Sequence, residues 1–227
     1  RNTVQEVYNQ VLTDLTTARD LLPANNGTSI DTYVASAFLS RVYLMQEDYP
    51  NAASSADRVL QAEQFQLAPT FAGAFNNVED IPEYVFAIQI SSQDGANDLN
   101  TFYASSTDGG RGDINIQSQH LTLYAEADAR GDFFYVDSGT VDTRTQKWQD
   151  DEADGANLPI LRLAEMYLTR AEANLRAGST VGAPPVDDVN AIRTRAGLDP
   201  VSTATVEDAL RQRRLELAFQ GNLLHAL

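Results

Sequence analysis

The sequence predicts an all-α protein: a helical repeat scaffold that is interrupted by a large loop-rich insertion containing short strands. Residues 158–178 carry apolar side chains at helical spacing, and residues 29–62 are typical of two helices joined by a short turn. Residues 64–157 hold most of the glycines, with many Asp and Asn. We therefore expect helices in residues 1–63 and 158–227, on either side of an irregular part in residues 64–157.

The first predicted helix begins at Val4 and ends at Pro23. Thr3 and Glu6 have the spacing of a capping box, in which a hydroxyl and a carboxylate satisfy the first free amides of a helix. Apolar side chains then recur at intervals of three and four until the proline, which cannot continue a helix. Residues 24–28 are rich in Asn and Gly and are predicted to form a turn.

The next two predicted helices form a pair. One runs from residues 29–31 to about Glu47, and the other runs from Pro50 to about Ala62. Large, small and aromatic side chains fall at the mutual spacings of the tetratricopeptide repeat: Leu39, Ser40, Tyr43, Ala52, Ala56 and Val59. We interpret the pair as tetratricopeptide-like, and an ordinary antiparallel helix pair is the alternative.

The irregular part is predicted to contain short elements only. Its best strand is residues 84–90, where Phe86, Ile88 and Ile90 share one face. Further predictions are an extended piece at 65–67, loops at 91–100 and 108–113, a short helix at 118–127, and short strands at 133–136 and 143–148. A long region without strong elements inside a helical protein is often functional.

Residues 158–178 are predicted to form one long helix. Pro159 fits its first turn, where a missing amide proton costs nothing, and Gly178 is a typical C-terminal stop. Glu172 precedes Arg176 by one turn, in the favourable order. Two faces of this helix are apolar, so we expect it to be packed on two sides within a stack of helices.

Two shorter helices are predicted to follow. Asp187 or Asp188 is the expected cap of the first helix, and Thr205 with Asp208 begins the second. Because helical parts flank the irregular part, the sequence predicts a single domain over residues 1–227.

Composition and charge exclude several classes of function. The formal net charge of the 227 residues is −16, so duplex nucleic acid is excluded as a partner because its phosphates would be repelled. There is no cysteine, and therefore no disulfide and no thiolate chemistry. Lys147 is the only lysine. This acidic, lysine-poor composition resembles that of proteins from salt-loving organisms, and an ordinary acidic bacterial protein is the alternative.

Three segments resemble successive signatures of the SusD/RagB family, in the family's order and spacing: residues 162–173, 190–198 and 213–221. Tyr124 with Asp128 and Arg130 is similar to a shorter motif of the family. The helices upstream are similar to its tetratricopeptide-like helices. After Gly221 the family commonly has arginine and later Asp-Leu, and in this chain residues 222–227 lack both.

The resemblance implies a surface-exposed lipoprotein in the outer membrane of Bacteroidota-type bacteria. Family members bind glycans or other nutrients, cap a TonB-dependent transporter of the SusC type, and are not enzymes. They are longer than this chain and begin with a lipidated cysteine. The resemblance therefore implies a fragment whose membrane attachment depends on an N-terminal lipid anchor outside it, and no cofactor.

Aromatic residues beside polar ones are the candidates for ligand contact, because a sugar ring has an apolar face and a rim of hydroxyls. The best candidates are Phe102 and Tyr103, which are flanked by Asn and Asp residues. The next is Trp148, the only tryptophan. In each case a residue of a small hydrophobic core is the alternative. The family's ligand residues lie in variable loops, so the resemblance assigns none.

The charged residues of the signature segments have two interpretations. They suggest catalysis at first sight, but their apolar neighbours favour buried ion pairs that fix helix crossings: Arg162, Glu165, Glu172, Arg193, Arg195, Arg214 and Glu216. No two carboxylates have a spacing that marks them as the acid and base of a glycosidase, so the sequence predicts no enzyme.

Two possible metal patterns are incomplete. Residues 150–155 have partial calcium-loop spacing, but Leu161 occupies the position of the closing glutamate, so a solvated acidic loop is the better interpretation. His120 and His225 have no zinc-ligand partners nearby in the sequence. The sequence therefore predicts no metal site.

The function predicted from these observations is the capture of glycans or related oligomers and their delivery to a SusC-type transporter. A helical-repeat scaffold that binds proteins through its concave face is the alternative. Binding that depends on Phe102, Tyr103 or Trp148 favours the first function, and binding that is insensitive to them favours the second.

Overall fold

The computed structural model describes residues 2–91, 93–94, 97–149 and 155–221. The α-helices are α1 (Val4–Leu21), α2 (Thr32–Met45), α3 (Tyr49–Leu60), α4 (Asp98–Tyr103), α5 (Ser118–Leu121), α6 (Leu163–Ala177), α7 (Pro185–Arg195) and α8 (Val206–Glu216). The strands are β1 (Tyr84–Ile88), β2 (Phe134–Val136), β3 (Thr143–Thr145) and β4 (Leu158–Arg162). The mostly helical prediction is confirmed. Within the described ranges no helix is both long and apolar enough to cross a membrane.

Helix α6 lies at the centre of the scaffold, where it contacts α2, α3, α7 and α8. Helices α2 and α3 pack on each other, and α1 packs on α2. Alanines that are completely buried lie on these helices and let their backbones approach closely: Ala37, Ala52, Ala53, Ala56, Ala164, Ala171 and Ala173. Packing of α6 on more than one side, as the sequence predicted, is confirmed.

The helix starts follow local capping chemistry. The capping boxes at Thr3 and Thr205 are both present. The predicted cap of α7 at Asp187 or Asp188 is wrong, because α7 already begins at Pro185, whose fixed φ suits a first helical position. Asp188 is instead buried within the first turn.

The prediction of one helix over residues 158–178 is wrong for its first five residues, which form β4. Strand β4 pairs antiparallel with β1, with Leu161 opposite Phe86 and Pro159 opposite Ala87. Proline is tolerated because each strand of a two-stranded sheet is an edge strand. The backbone of β1 needs a hydrogen-bonding partner, and β4 supplies it before α6 begins at Leu163.

The insertion contains the predicted elements in shortened form. Strand β1 ends at Ile88, which is exposed, whereas Val85 and Ala87 are buried. Strands β2 and β3 pair antiparallel, and residues Gln146–Trp148 form a 3-10 helix instead of extending β3. The predicted helix at 118–127 is only α5, and the predicted loop at 91–100 ends where α4 begins. Helix α4 carries Phe102 and Tyr103, and the 3-10 helix carries Trp148, so these two elements determine which candidate aromatic residues are exposed.

Candidate functional site

The candidate surface is built on α4, a helix of six residues. Asn97 caps this helix, since its side-chain oxygen accepts a hydrogen bond from the backbone N–H of Asn100 at 2.9 Å. The side-chain nitrogen of Asn100 donates to the carbonyl oxygens of Asp108 at 3.2 Å and Trp148 at 3.1 Å. These bonds fix α4 between the loop that follows it and the 3-10 helix at residues 146–148.

Phe102 presents its ring to solvent, with 36% of the residue exposed. Its carbonyl oxygen accepts hydrogen bonds from the backbone N–H groups of Asp113 at 2.9 Å and Ile114 at 3.2 Å. The carbonyl oxygen of Thr101 accepts a hydrogen bond from the backbone N–H of Arg111 at 2.7 Å. The last carbonyls of a helix have no partner within it, so the segment after α4 satisfies them and is held beside the ring. The guanidinium carbon of Arg111 lies 5.1 Å from the ring centre.

Arg111 and Asp113 form an exposed ion pair next to Phe102. The Nε of Arg111 lies 3.0 Å and 2.9 Å from the two carboxylate oxygens of Asp113. The hydrogen bonds from Arg111 lower the pKa of Asp113, and the same bonds raise the pKa of Arg111. Asp98, in the first turn of α4, adds a second negative charge within reach of Arg111. The ring is therefore bordered by groups that can form hydrogen bonds.

A buried arginine supports this loop from the β2–β3 hairpin. The Nε of Arg144 donates to Asp137 at 2.8 Å, and its Nη1 donates to the carbonyl oxygen of Ile114 at 2.9 Å. Gly112 has a φ of +68°, and a Cβ atom there would lie 2.7 Å from the guanidinium carbon of Arg144. Only glycine fits both the conformation and the space, so this contact fixes the course of the loop.

Tyr103, the next residue of α4, belongs to an aromatic cluster. It is half-buried, its ring centre lies 5.9 Å from that of Phe219, and burial raises the pKa of its hydroxyl. Phe219 also lies 4.9 Å from the ring of His120 and has a φ of 63°. The cluster joins the insertion to the segment that follows α8.

Trp148 is buried, with 6% of the residue exposed. Its indole nitrogen donates to the carbonyl oxygen of Phe219 at 3.2 Å, and its ring lies 6.2 Å from that of Phe75. A cavity of about 10 Å³ beside it has room for one water molecule and is lined partly by amide side chains: Asn76, Asn97, Gln149 and Asn157. Of the three predicted contact residues, Phe102 is thus exposed, whereas Tyr103 and Trp148 meet through Phe219.

Lys147 is the main feature that sequence analysis missed. Its ammonium group is buried and donates to the carbonyl oxygens of Glu216 at 3.0 Å and Ala218 at 2.8 Å. It also lies 4.8 Å from the centre of the Phe75 ring. Burial lowers the pKa of Lys147 well below its ordinary value, and nearby arginines, Arg162 first among them, lower it further. A lone lysine beside the only tryptophan is the sequence signal that marked this position.

Two glutamates and two arginines that are distant in the sequence form what we call the buried ion cluster: Glu83 just before β1, Arg162 at the end of β4, Arg195 at the end of α7 and Glu216 at the end of α8. Arg162 lies 2.5 Å from Glu83 and 2.8 Å from Glu216, and Arg195 lies 3.1 Å and 2.5 Å from the same two carboxylates. Burial alone would raise the pKa of Glu216, but the surrounding guanidinium groups hold it far below its ordinary range. The cluster ties the small β1–β4 sheet to α7 and α8.

The interpretation of the signature residues as buried ion pairs is confirmed for five of them: Arg162, Glu165, Glu172, Arg195 and Glu216. Arg193 instead donates to the carbonyl oxygen of Asp199, and Arg214 is exposed. The predicted placement of Arg162 on a helix is wrong, because it ends strand β4.

A larger depression lies away from α4. Its volume is about 210 Å³, and its lining is mainly apolar: Gln66, Leu67, Ala68, Pro69, Gly73, Ile81, Pro82 and Glu83. Glu83, one of the lining residues, is already engaged by Arg162, Arg195 and the backbone N–H of Ala68. This volume is below the roughly 300 Å³ at which small-molecule pockets begin, so the depression is too small to be the candidate site.

The possible metal ligands give no site among the described residues, where no group of three or more His, Cys, Asp or Glu side chains could hold an ion. His120 is half-buried, with its Nε2 3.0 Å from the hydroxyl oxygen of Tyr124, and burial lowers its pKa. The incomplete calcium loop at residues 150–154 and the segment 222–227, with His225, lie outside the described ranges.

Two family models match the sequence. A model described as "SusD family" matches residues 93–224, more than half of the chain. A second model, described as "Starch-binding associating with outer membrane", matches residues 1–44.

Curated relatives carry the same description. The SusD-like protein P2 of Formosa agariphila is 26% identical over 95% of this chain and 54% of its own length. The starch-binding protein SusD of Bacteroides thetaiotaomicron is 34% identical over 33% of this chain and 15% of its own length. The chain spans about half the length of the relative that it matches almost throughout.

Known structures share the fold. A SusD-like carbohydrate binding protein from Bacteroides vulgatus superimposes with a TM-score of 0.82 at 23% identity, over 99% of this chain and 51% of that protein. Surface glycan-binding protein A from Bacteroides thetaiotaomicron, in complex with laminarihexaose, superimposes with a TM-score of 0.84 at 17% identity, over 99% of this chain and 61% of that protein. At these identities the likeness shows the fold alone.

Proposed function

This chain belongs to the SusD family, and on that premise we propose that it captures glycans at the bacterial surface and hands them to a TonB-dependent transporter of the SusC type. We further propose that an N-terminal lipid holds the protein on the outer membrane. Support comes from the starch-binding, outer-membrane description of the model that matches residues 1–44, and from a structural neighbour that binds laminarihexaose.

The observation that carries the proposal is the exposed ring of Phe102 beside the Arg111–Asp113 ion pair. The apolar face of a sugar can stack on the ring while its hydroxyls bond to the charged groups around it. Tyr103 and Trp148 are the other residues of the proposed site. Their packing around Phe219 supports a role in holding α4 in position behind the ring.

Binding to a panel of purified oligosaccharides that includes laminarihexaose tests the proposal. Phe102→Ala is expected to lower the affinity for any ligand found by about fivefold, since an aromatic contact contributes on the order of 1 kcal/mol. Ile30→Ala is the control, because it removes a similarly exposed apolar side chain from the turn before α2. Absence of binding across the panel, or equal loss in both variants, would remove the support for this surface.

Delivery to a transporter is tested separately. The full-length protein is isolated from its native outer membrane with mild detergent, and the proteins that accompany it are identified by mass spectrometry. A large TonB-dependent barrel that is present in stoichiometric amount is the expected partner. If the protein is recovered alone under conditions that preserve other membrane complexes, the handover is excluded.

We propose binding without turnover. In the described part of the chain the buried carboxylates other than Asp31 are engaged by arginines that hold structural elements together: Glu83, Asp128, Asp137, Glu165, Glu172, Asp188 and Glu216. Such carboxylates are not free to act as a catalytic acid or base. Chromatography of the glycan panel after prolonged incubation with the protein is expected to show no new products.

A protein-binding scaffold is the second candidate function. Helix α1 favours it, because Val4, Val7 and Leu21 leave 75%, 51% and 79% of their surface exposed on one helix. This function predicts capture of a protein partner that is unaffected by Phe102→Ala and weakened by Val7→Asp. The glycan function predicts that glycan binding is weakened by Phe102→Ala and unaffected by Val7→Asp.

A further inference from the structure

The charges around Phe102 specify a class of glycan. Resting on the function proposed above, we propose that this surface selects neutral glycans over glycans that carry carboxylate or sulfate groups. By the Phe102 surface we mean Phe102, Asp98, Arg111 and Asp113.

Arg111 is the cation that an anionic sugar would meet beside the ring, and the Nε–Nη2 edge of its guanidinium is already occupied. Its guanidinium binds both carboxylate oxygens of Asp113 in a bidentate pair. At the Nη1 group, which the pair with Asp113 does not use, a uronic acid or sulfate ester would meet Arg111 beside the carboxylate of Asp113, and the side-on bidentate position is open to it only by displacing Asp113. One charge-assisted pair would then replace another, and the carboxylate of Asp113 would be left unpaired beside the new anion.

The surroundings add negative charge. Asp98 is exposed and lies one helical turn before Phe102 on α4, which places it on the same side of the helix. Arg144 contacts the same loop, but it is 1% exposed and donates to Asp137 and to the carbonyl oxygen of Ile114, so it is not available to a ligand. The net charge of the whole chain, −16, has the same sign. At physiological salt the screening length is about 8 Å, so the carboxylates nearest the ring have the largest effect.

A neutral glycan gains from the same arrangement. Sugar hydroxyls are donors, and the oxygens of Asp98 and Asp113 are acceptors with lone pairs to spare. The ring of Phe102 meets the apolar face of the sugar, and neither interaction requires the ion pair to open. The carboxylates of this surface therefore accept hydrogen bonds from sugar hydroxyls and repel anionic groups.

Matched pairs of ligands test this selectivity. Each pair is a neutral oligosaccharide, with laminarihexaose as the first, and the same molecule with its primary hydroxyls oxidised to carboxylates. In calorimetric titrations at about 50 mM NaCl the neutral member is expected to bind at least about tenfold more tightly, and at about 1 M NaCl, where the screening length is roughly 3 Å, the ratio is expected to fall below about threefold. Equal or tighter binding of the carboxylated member at low salt overturns the selectivity and leaves the proposed function standing. Binding by neither member of any pair overturns both.

Two variants locate the effect. Asp113→Asn frees Arg111 and is expected to bring the low-salt preference for the neutral member from about tenfold to about parity. Asp14→Asn changes the net charge by the same amount on an exposed turn of α1, and it is expected to leave the preference unchanged. Because both residues are exposed, both variants are expected to fold, which circular dichroism verifies. If the two variants behave alike, the overall charge rather than the Phe102 surface sets the preference, and the assignment is overturned.

Discussion

Arginine–carboxylate pairs occur in two opposite surroundings in this protein. In the buried ion cluster, Glu83, Arg162, Arg195 and Glu216 have side chains that are at most 5% exposed. At the Phe102 surface, Arg111 is 63% exposed and Asp113 is 40% exposed. Water can replace a lost partner at the surface but not in the cluster. The chemistry of the pairs is the same, so burial decides whether a pair holds the fold together or remains available to a ligand.

Glu216→Gln is the substitution with the largest expected effect. It leaves Arg162 and Arg195 with only Glu83 as a shared partner, and an uncompensated buried charge costs about 3–5 kcal/mol. Denaturant unfolding followed by circular dichroism measures the loss. Glu207→Gln, on the exposed side of the same helix, is the control and is expected to change stability by less than about 0.5 kcal/mol. Equal effects of the two substitutions would contradict the distinction between buried and exposed charges.

Gly112→Ala tests the close approach between buried Arg144 and the exposed loop. Its Cβ atom would meet the guanidinium of Arg144, and its positive φ adds backbone strain, so the expected destabilisation is about 1–3 kcal/mol. Gly27→Ala has a similar φ but no atom within 4 Å, and it therefore isolates the strain. We expect Gly112→Ala alone to weaken the binding of a glycan identified by the panel. A larger loss of stability in Gly27→Ala would contradict the steric argument.

Acid should separate the two kinds of pair. The folded-state pKa of Glu216 is lowered from its ordinary 4.5, so its contribution to stability is fully present above pH 4.5 and is lost as the pH falls towards the lower folded-state pKa. Below pH 4.5 the stability of the natural protein is expected to fall more steeply than that of Glu216→Gln, by up to about 1.4 kcal/mol per pH unit, the limiting value for one proton. The profile of Asp113→Asn is expected to differ only slightly from that of the natural protein, because solvent screens the exposed pair that lowers the pKa of Asp113. Parallel profiles for all three would show that the cluster does not titrate on unfolding.

Arg111→Gln is expected to have the smallest effect on stability. Both members of its ion pair are exposed, so water solvates Asp113 once the guanidinium is gone, and the unfolding midpoint should not change. Affinity for a neutral glycan should fall by about fivefold through the loss of one hydrogen-bond donor beside the ring. A shifted unfolding midpoint with unchanged glycan affinity would show that the Arg111–Asp113 pair stabilises the fold and does not serve a ligand.

Local chemistry explains what could be predicted from the sequence. The capping boxes at Thr3 and Thr205 depend on residues three positions away, and the exposure of Phe102 agrees with its polar neighbours. Residues 158–162 could not be placed correctly, because their partners in β1 lie 70 to 78 residues earlier in the chain. The burial of Trp148 likewise depends on Phe75 and Phe219, which are distant in sequence.

The buried ion cluster likewise has features that could be predicted from nearby residues and features that depend on residues distant in the sequence. That the signature arginines and glutamates form ion pairs could be predicted from their apolar neighbours. Which residues pair could not be predicted, because Glu83 lies outside the signatures and reaches Arg162 and Arg195 only in the folded chain.

The side-chain amine of Lys147 is protected from reagents while the protein is folded. This residue is the only lysine, and its amine is buried between two carbonyl oxygens and the rings of Phe71 and Phe75. Amine-reactive labels and lysine-specific proteases can reach this side chain only when the packing around residues 216–218 opens. The rate of labelling or cleavage at this single position therefore measures how often the insertion separates from the end of α8, without any engineered probe.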